Sequence, residues 1–230
     1  MKNDFSPLSQ NFRGEKIQLN QIIKYPLLFQ IIIGLVCALL NLALCSIQDY
    51  YPIPLFMDTV FTVTASLFGA VSGLIAAFLF HLFSMFVHSN PPSDLTWSIC
   101  SLTVVLVICL YLRKRNIKQT KLDFFDVLLL LIIIAIIISI EGAIIFTILR
   151  ALVEYRETAQ VRTFYLYLLR FDIPVFLSAF IPRIPVNLLD KGICVTLGLF
   201  IYKGLCKIKW LQTLESHPQL KCTPKVRHKV

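Results

Sequence analysis

The sequence predicts an all-α, polytopic membrane helix bundle, and three observations carry that prediction. Of the 230 residues, 57% are hydrophobic and only 15% charged, more apolar surface than one soluble core of this size hides. Several apolar runs reach the length that a helix needs to cross a bilayer. The basic residues gather between and beyond those runs: Lys2, Arg13, Lys16 and Lys24 near the start, RKRNIKQTK at 113–121, and a tail from Lys203 to Lys229. A formal charge of +9 distributed in this way reads as a topology signal, and no nucleic-acid partner is expected.

The first helix runs from about Pro26, a good helix start, to Ile47. The LALC at 42–45 is a poor lipoprotein processing site, because Leu44 is bulky and the run begins well inside the chain, so a retained helix is expected. The next apolar stretch, 55–87, would make a rod of roughly 50 Å against a hydrocarbon core of about 30 Å. A break near Gly69 resolves this into two short helices. It also places the Lys- and Arg-free loops 48–54 and 88–96 outside and RKRNIKQTK inside, as the positive-inside tendency asks. A fourth helix covers about Leu95 to Leu112, a fifth Phe124 to Leu149, and a last one Pro185 to Tyr202, with Trp97 and Trp210 near opposite interfaces.

The expected organisation is therefore a cytoplasmic N-terminal arm (1–24), a membrane domain of six transmembrane helices (25–210) with short second and third helices, and a basic cytoplasmic tail (211–230). Both termini are expected in the cytoplasm. Residues 150–184 carry Arg150, Arg156, Arg162, Arg170 and Arg183 on the outer side and are expected to form a lid-like segment. A span at 164–181 would bury Arg170, Asp172 and Pro174 at considerable cost.

The seven cysteines show no C-x-x-C pairing, and most lie in apolar runs where Cys behaves as a small hydrophobe. No H-x-x-H, H-E-x-x-H or acidic triplet offers metal-ligand spacing, and no G-x-x-x-x-G-K-[ST] is present. No cofactor, metal or catalytic residue is expected, and the chain is not read as an enzyme.

An ionisable side chain in the membrane costs roughly 2.5–3.5 kcal/mol at the helix centre on insertion scales, so each one needs a reason. Asp58, Glu141, Asp190 and Lys191 all fall in the outer half of the predicted spans, with His88 and Trp97 flanking an outer loop. They predict an outward-facing polar cavity walled by apolar and aromatic groups. Asn187, Asp190 and Lys191 share one broad helix face. Asp190 and Lys191, being adjacent, should find partners on other elements. The alternative readings are Asp58 as a helix N-cap, Asp190 and Lys191 as structural ion pairs, and Glu141 as a helix-to-helix hydrogen bond. Gly34 and Ala38 make a small-x-x-x-small pair, a common site of close helix approach.

With PLFMDTVFTVTASLFGAVSGLIAA at 54–77, RIPVNLLDKGICVTLG at 183–198 and the six-span layout, the chain resembles a substrate-binding S component of an energy-coupling factor (ECF) transporter, over about residues 26–205. The resemblance implies capture of a small-molecule micronutrient, such as a vitamin, from outside the cell membrane. It also implies a transmembrane T component and two cytoplasmic ATPase subunits as partners. On that reading Asn187, Asp190, Lys191, Glu141, Asp58 and Trp97 bind substrate, and Gly34 and Ala38 dock the T component, although they match the family's A-x-x-x-A only in part. A sensory membrane domain with a separate output partner, a stand-alone secondary transporter using Glu141 or Asp58 as proton carrier, and an intramembrane enzyme around Ser139 and Glu141 are the competing readings.

Overall fold

The computed structural model describes residues 25–50, 55–115, 124–153, 155–156 and 159–208. The N-terminal arm, residues 116–121 of the basic loop, Trp210 and the tail lie outside the described residues. Among the described residues all regular structure is helical: α1 (Leu27–Tyr50), α2 (Val60–Phe68), α3 (Ala70–Val87), a 3-10 helix (Pro92–Trp97), α4 (Ser98–Arg115), α5 (Phe124–Val153), α6 (Ala159–Leu169) and α7 (Val175–Leu205). Five stretches are long and apolar enough to cross a membrane: α1, α3, the 3-10 helix with α4, α5 and α7. Side chains such as Leu28, Ile32 and Leu39 are exposed along α1, as a lipid-facing surface requires.

The chain breaks at Gly69, where the excess length of 55–87 requires a break. Against the expected six spans with short second and third helices, α3 is full length and only α2 is short. At nine residues, about 14 Å, α2 cannot cross a bilayer alone. Irregular chain at 55–59 leads into it. A second difference concerns the last helix. It begins at Val175, ten residues before Pro185, and runs through Pro182 and Pro185 without interruption. Residues 170–174 form a turn, so 164–181 is not a span.

Helices α1 and α3 run side by side, α2 lies against α3 and α7, and α5 packs along α7. Val63, Val104, Ile108, Leu130, Ile134, Ile138 and Val195 fill the core between α2, α4, α5 and α7. Tyr25, Phe68 and Tyr202 close one end in an aromatic cluster, so the described chain enters and leaves the bundle on the same side. At the other end Ala143, Phe146, Tyr165 and Ala179 join α5, α6 and α7.

Two close approaches set the register of the short helix and its neighbours. A Cβ on Gly34 would stand 2.8 Å from both Ile75 and the Ser72 carbonyl, and Ala38 is fully buried. The pair expected to dock a partner is therefore used inside the chain, on the α1–α3 seam. On α7, a Cβ at Gly198 would stand 2.8 Å from Val63 and 2.9 Å from the Val60 carbonyl. The Gly198 carbonyl also accepts a hydrogen bond from Thr64 Oγ1 at 3.3 Å. Replacing Gly198 by leucine should force α2 away from α7 and cost about 1–3 kcal/mol, the usual penalty for overpacking. The expected outcome is a lower unfolding midpoint in mild detergent; an unchanged midpoint would refute this packing.

Candidate functional site

Residues 55–59 pose a chemical problem, because backbone that leaves the helix within a membrane must find its hydrogen bonds inside the protein. Met57 takes a left-handed φ of 48°, uncommon for a residue with a side chain. Its N–H donates to Asp190 Oδ1 of α7 at 2.7 Å. In the first turn of α2 the Phe61 N–H donates to Asn41 Oδ1 of α1 at 2.9 Å, and Asn41 Nδ2 donates to Thr62 Oγ1 at 2.9 Å. The segment leading into α2 and the first turn of α2 are thus each satisfied by a side chain of another helix.

The charges around this start are paired. Lys191 Nζ lies 2.7 Å from Asp58 Oδ1 and 2.8 Å from Asp190 Oδ2, and donates to Thr59 Oγ1 at 3.2 Å. Lys191 and Asp190 are buried, whereas the Asp58 side chain is 25% exposed. Asp58 lies two residues before α2 and is not its N-cap; the residue at the cap position is Thr59, whose side chain makes no cap bond. The neighbours Asp190 and Lys191 do touch, which corrects the expectation that each would look elsewhere: the long lysine stem brings its ammonium onto both carboxylates. Asp190 is the sixteenth of the 31 residues of α7, so the cluster sits at mid-helix, deeper than a start at Pro185 implies.

Three further polar contacts cross the bundle. Asn187 Nδ2 donates to Ser139 Oγ at 3.0 Å, joining α7 to α5. His81 Nε2 lies 2.9 Å from Ser101 Oγ, joining α3 to α4. Thr103 Oγ1 donates to Glu141 Oε1 at 2.8 Å, joining α4 to α5. The second carboxylate oxygen, Glu141 Oε2, is buried with no hydrogen-bond partner.

Glu141 neighbours a second set of groups. Its next residue, Gly142, leaves room for Arg183 and Trp97, since a Cβ there would stand 3.2 Å from Arg183 Nε and 3.5 Å from the indole. The buried Arg183 guanidinium lies 5.6 Å from the centre of the Trp97 ring and 5.3 Å from that of Phe146. It donates from Nη1 to the Ala179 carbonyl at 3.0 Å. Trp97 Nε1 donates to the Tyr155 hydroxyl at 3.1 Å, and Tyr155 in turn donates to Asp94. The 3-10 helix and the chain after α5 are clasped together at the end of the bundle where α6 packs.

The sequence-predicted residues therefore separate into two groups. Asp58, Asp190 and Lys191 form one ion cluster, with Asn187 in a separate α5–α7 link; Glu141 and Trp97 belong to the upper, aromatic group. Sequence reasoning does not single out Asn41, and it takes Arg183 only as a lid residue. The lone amide in an apolar run and the arginine inside a helix segment are the available signals. Among the described residues no group of three or more His, Cys, Asp or Glu is placed to hold a metal ion.

Removing one member of the ion cluster should leave an uncompensated buried charge. We expect Lys191→Met to cost about 3–5 kcal/mol. The triple variant that adds Asp58→Asn and Asp190→Asn should recover most of that loss, since an amide oxygen at position 190 still accepts from the Met57 N–H. Unfolding midpoints of the two variants in the same detergent check this, and equal losses would contradict the pairing.

No protein-family model, curated protein or solved structure matches the chain. Among the described residues, five helices are long and apolar enough to cross a membrane, which is compatible with a multi-pass helical membrane protein.

Proposed function

We propose that the chain is the membrane-embedded substrate-binding subunit of an ECF-type importer for a vitamin or related micronutrient. The observation that carries the reading is Glu141 Oε2, a carboxylate oxygen buried without a partner. A buried acceptor left unpaired costs roughly 1–3 kcal/mol, and a ligand donor removes that cost. Trp97 and Arg183 stand beside the next residue, Gly142, and the clasp of Trp97, Tyr155 and Asp94 covers the same end of the bundle. Glu141 and Trp97 take the ligand contacts in this reading. Asp58, Asp190, Lys191 and Asn187 hold the helices that frame them.

In this reading the closed aromatic end and both termini face the cytoplasm and the Glu141 end faces outward; the positive-inside tendency of the basic segments supports that orientation. A T component and two ATPase subunits supply the energy from the cytoplasmic side, and the chain itself binds and releases. The resemblance of residues 54–77 and 183–198 to S components supports this assignment.

The test is gentle purification followed by mass spectrometry of whatever small molecule comes with the protein. A stoichiometric micronutrient is the expected result. Glu141→Gln should weaken its binding at least about tenfold, or about 1.4 kcal/mol, with the unliganded protein as stable as before. Empty protein that also shows no thermal shift with a broad vitamin panel would reject the reading.

A further inference from the structure

Helix α6 buries one face, and its exposed side carries an aromatic stripe beside Arg162 and Thr163. Val161 and Tyr165 are buried, with Tyr165 packed in the cluster of Ala143, Phe146 and Ala179. Along the exposed flank beside that buried face Phe164 is 65% exposed, Tyr167 58% and, in the turn that follows, Phe171 61%. These three recur at i, i+3 and i+7, one stripe along the helix, and the Tyr167 and Phe171 rings pack edge-on at 4.9 Å. A helix facing water would carry polar groups there.

The surroundings say what covers this stripe. Helix α6, at eleven residues about 16 Å long, is too short to cross a bilayer, and it joins the end of α5 to the start of α7 on one side of the bundle. The flanking surfaces are the exposed Leu152 and Val153 of α5 and Leu177 and Ile181 of α7, both candidate spans, so the aromatic stripe continues a lipid-facing surface. Arg170 is exposed at the end of α6, and Arg150, exposed at the end of α5, lies 5.5 Å from the Tyr165 ring centre. Aromatic rings beside arginine are what the headgroup boundary of a bilayer accommodates: rings at the acyl edge, guanidinium on phosphate.

We propose that α6 and the turn 170–174 lie in the headgroup layer of the membrane, with Phe164, Tyr167 and Phe171 seated at the acyl boundary and Arg170 on phospholipid phosphate. The partner of this surface is the bilayer, not a second copy or another protein. The inference does not depend on any ligand of the Glu141 site.

Full-length protein carrying Phe164→Trp or Tyr167→Trp is placed in phosphatidylcholine nanodiscs whose lipids bear bromine either near the headgroup end of the acyl chain or near its terminus. Fluorescence of the unsubstituted protein, which holds Trp97 and Trp210, is subtracted. The expected result is quenching of the added tryptophan at least about twofold stronger with the shallow bromines than with the deep ones, as an interfacial position demands. A Leu188→Trp control on the exposed side of α7 reports that the bromines quench. Water-like emission without quenching would overturn the proposal in favour of a solvated helix. Shielded emission without quenching would overturn it in favour of a protein cover, and stronger quenching by the deep bromines would overturn the interfacial placement.

Discussion

A backbone that departs from helical geometry inside a bilayer has no water to turn to, and the rest of this structure is arranged around that constraint. Five residues, 55–59, enter α2 without helical bonding, and their needs are met from elsewhere: Asp190 takes the Met57 amide, and Lys191 neutralises Asp58 and holds Thr59. One turn further, Asn41 takes Phe61, and the Gly198 carbonyl takes Thr64. Together these contacts tie the start of α2 to α7 and α1, and the small residues Gly34, Ala38 and Gly198 let the helices approach closely. Polar satisfaction and tight packing are here one design.

The same principle separates the two polar groupings. In the lower one an ammonium touches two carboxylates, and the adjoining amides and hydroxyls find partners, so the charges hold the fold. In the upper one Glu141 has only one of its oxygens bonded, and so does Asp94 of the clasp; an arginine near two aromatic rings packs against Gly142, the residue after Glu141. A protein that wanted only stability would gain by replacing such a carboxylate with an apolar residue of similar size. Its presence is the reason to place ligand chemistry at Glu141 and not at Lys191.

Much of this is legible in the sequence because charge is expensive in apolar runs. Asp58, Glu141, Asp190 and Lys191 stand out for that reason, and the excess length of 55–87 calls for the break at Gly69. The pairings are not legible. Ser139, Thr103 and Ser101 are small hydroxyl residues that look like ordinary helix positions until a partner from another helix arrives. Asn41, inside LNLALC, is hidden for the same reason. The start of α7 is obscured because Pro182, Arg183 and Pro185 resemble a boundary. Within a bundle, neighbouring groups can serve the carbonyls that proline leaves free, and the Arg183 side chain itself bonds the Ala179 carbonyl. Adjacent residues on a helix normally point apart, so the contact of Asp190 with Lys191 depends on the reach of a lysine stem, which spacing does not reveal.

The bonds that complete the start of α2 span 133 residues of chain, from Met57 to Asp190 and from Asp58 to Lys191. During synthesis the N-terminal helices emerge long before α7 exists, at about 5–20 residues per second. For that interval Asp58 has no ammonium beside it and the Met57 amide has no acceptor on α7. Until α7 arrives, water is the remaining source of partners for 55–59. An element made much later, α7, is the one that supplies what the start of α2 needs.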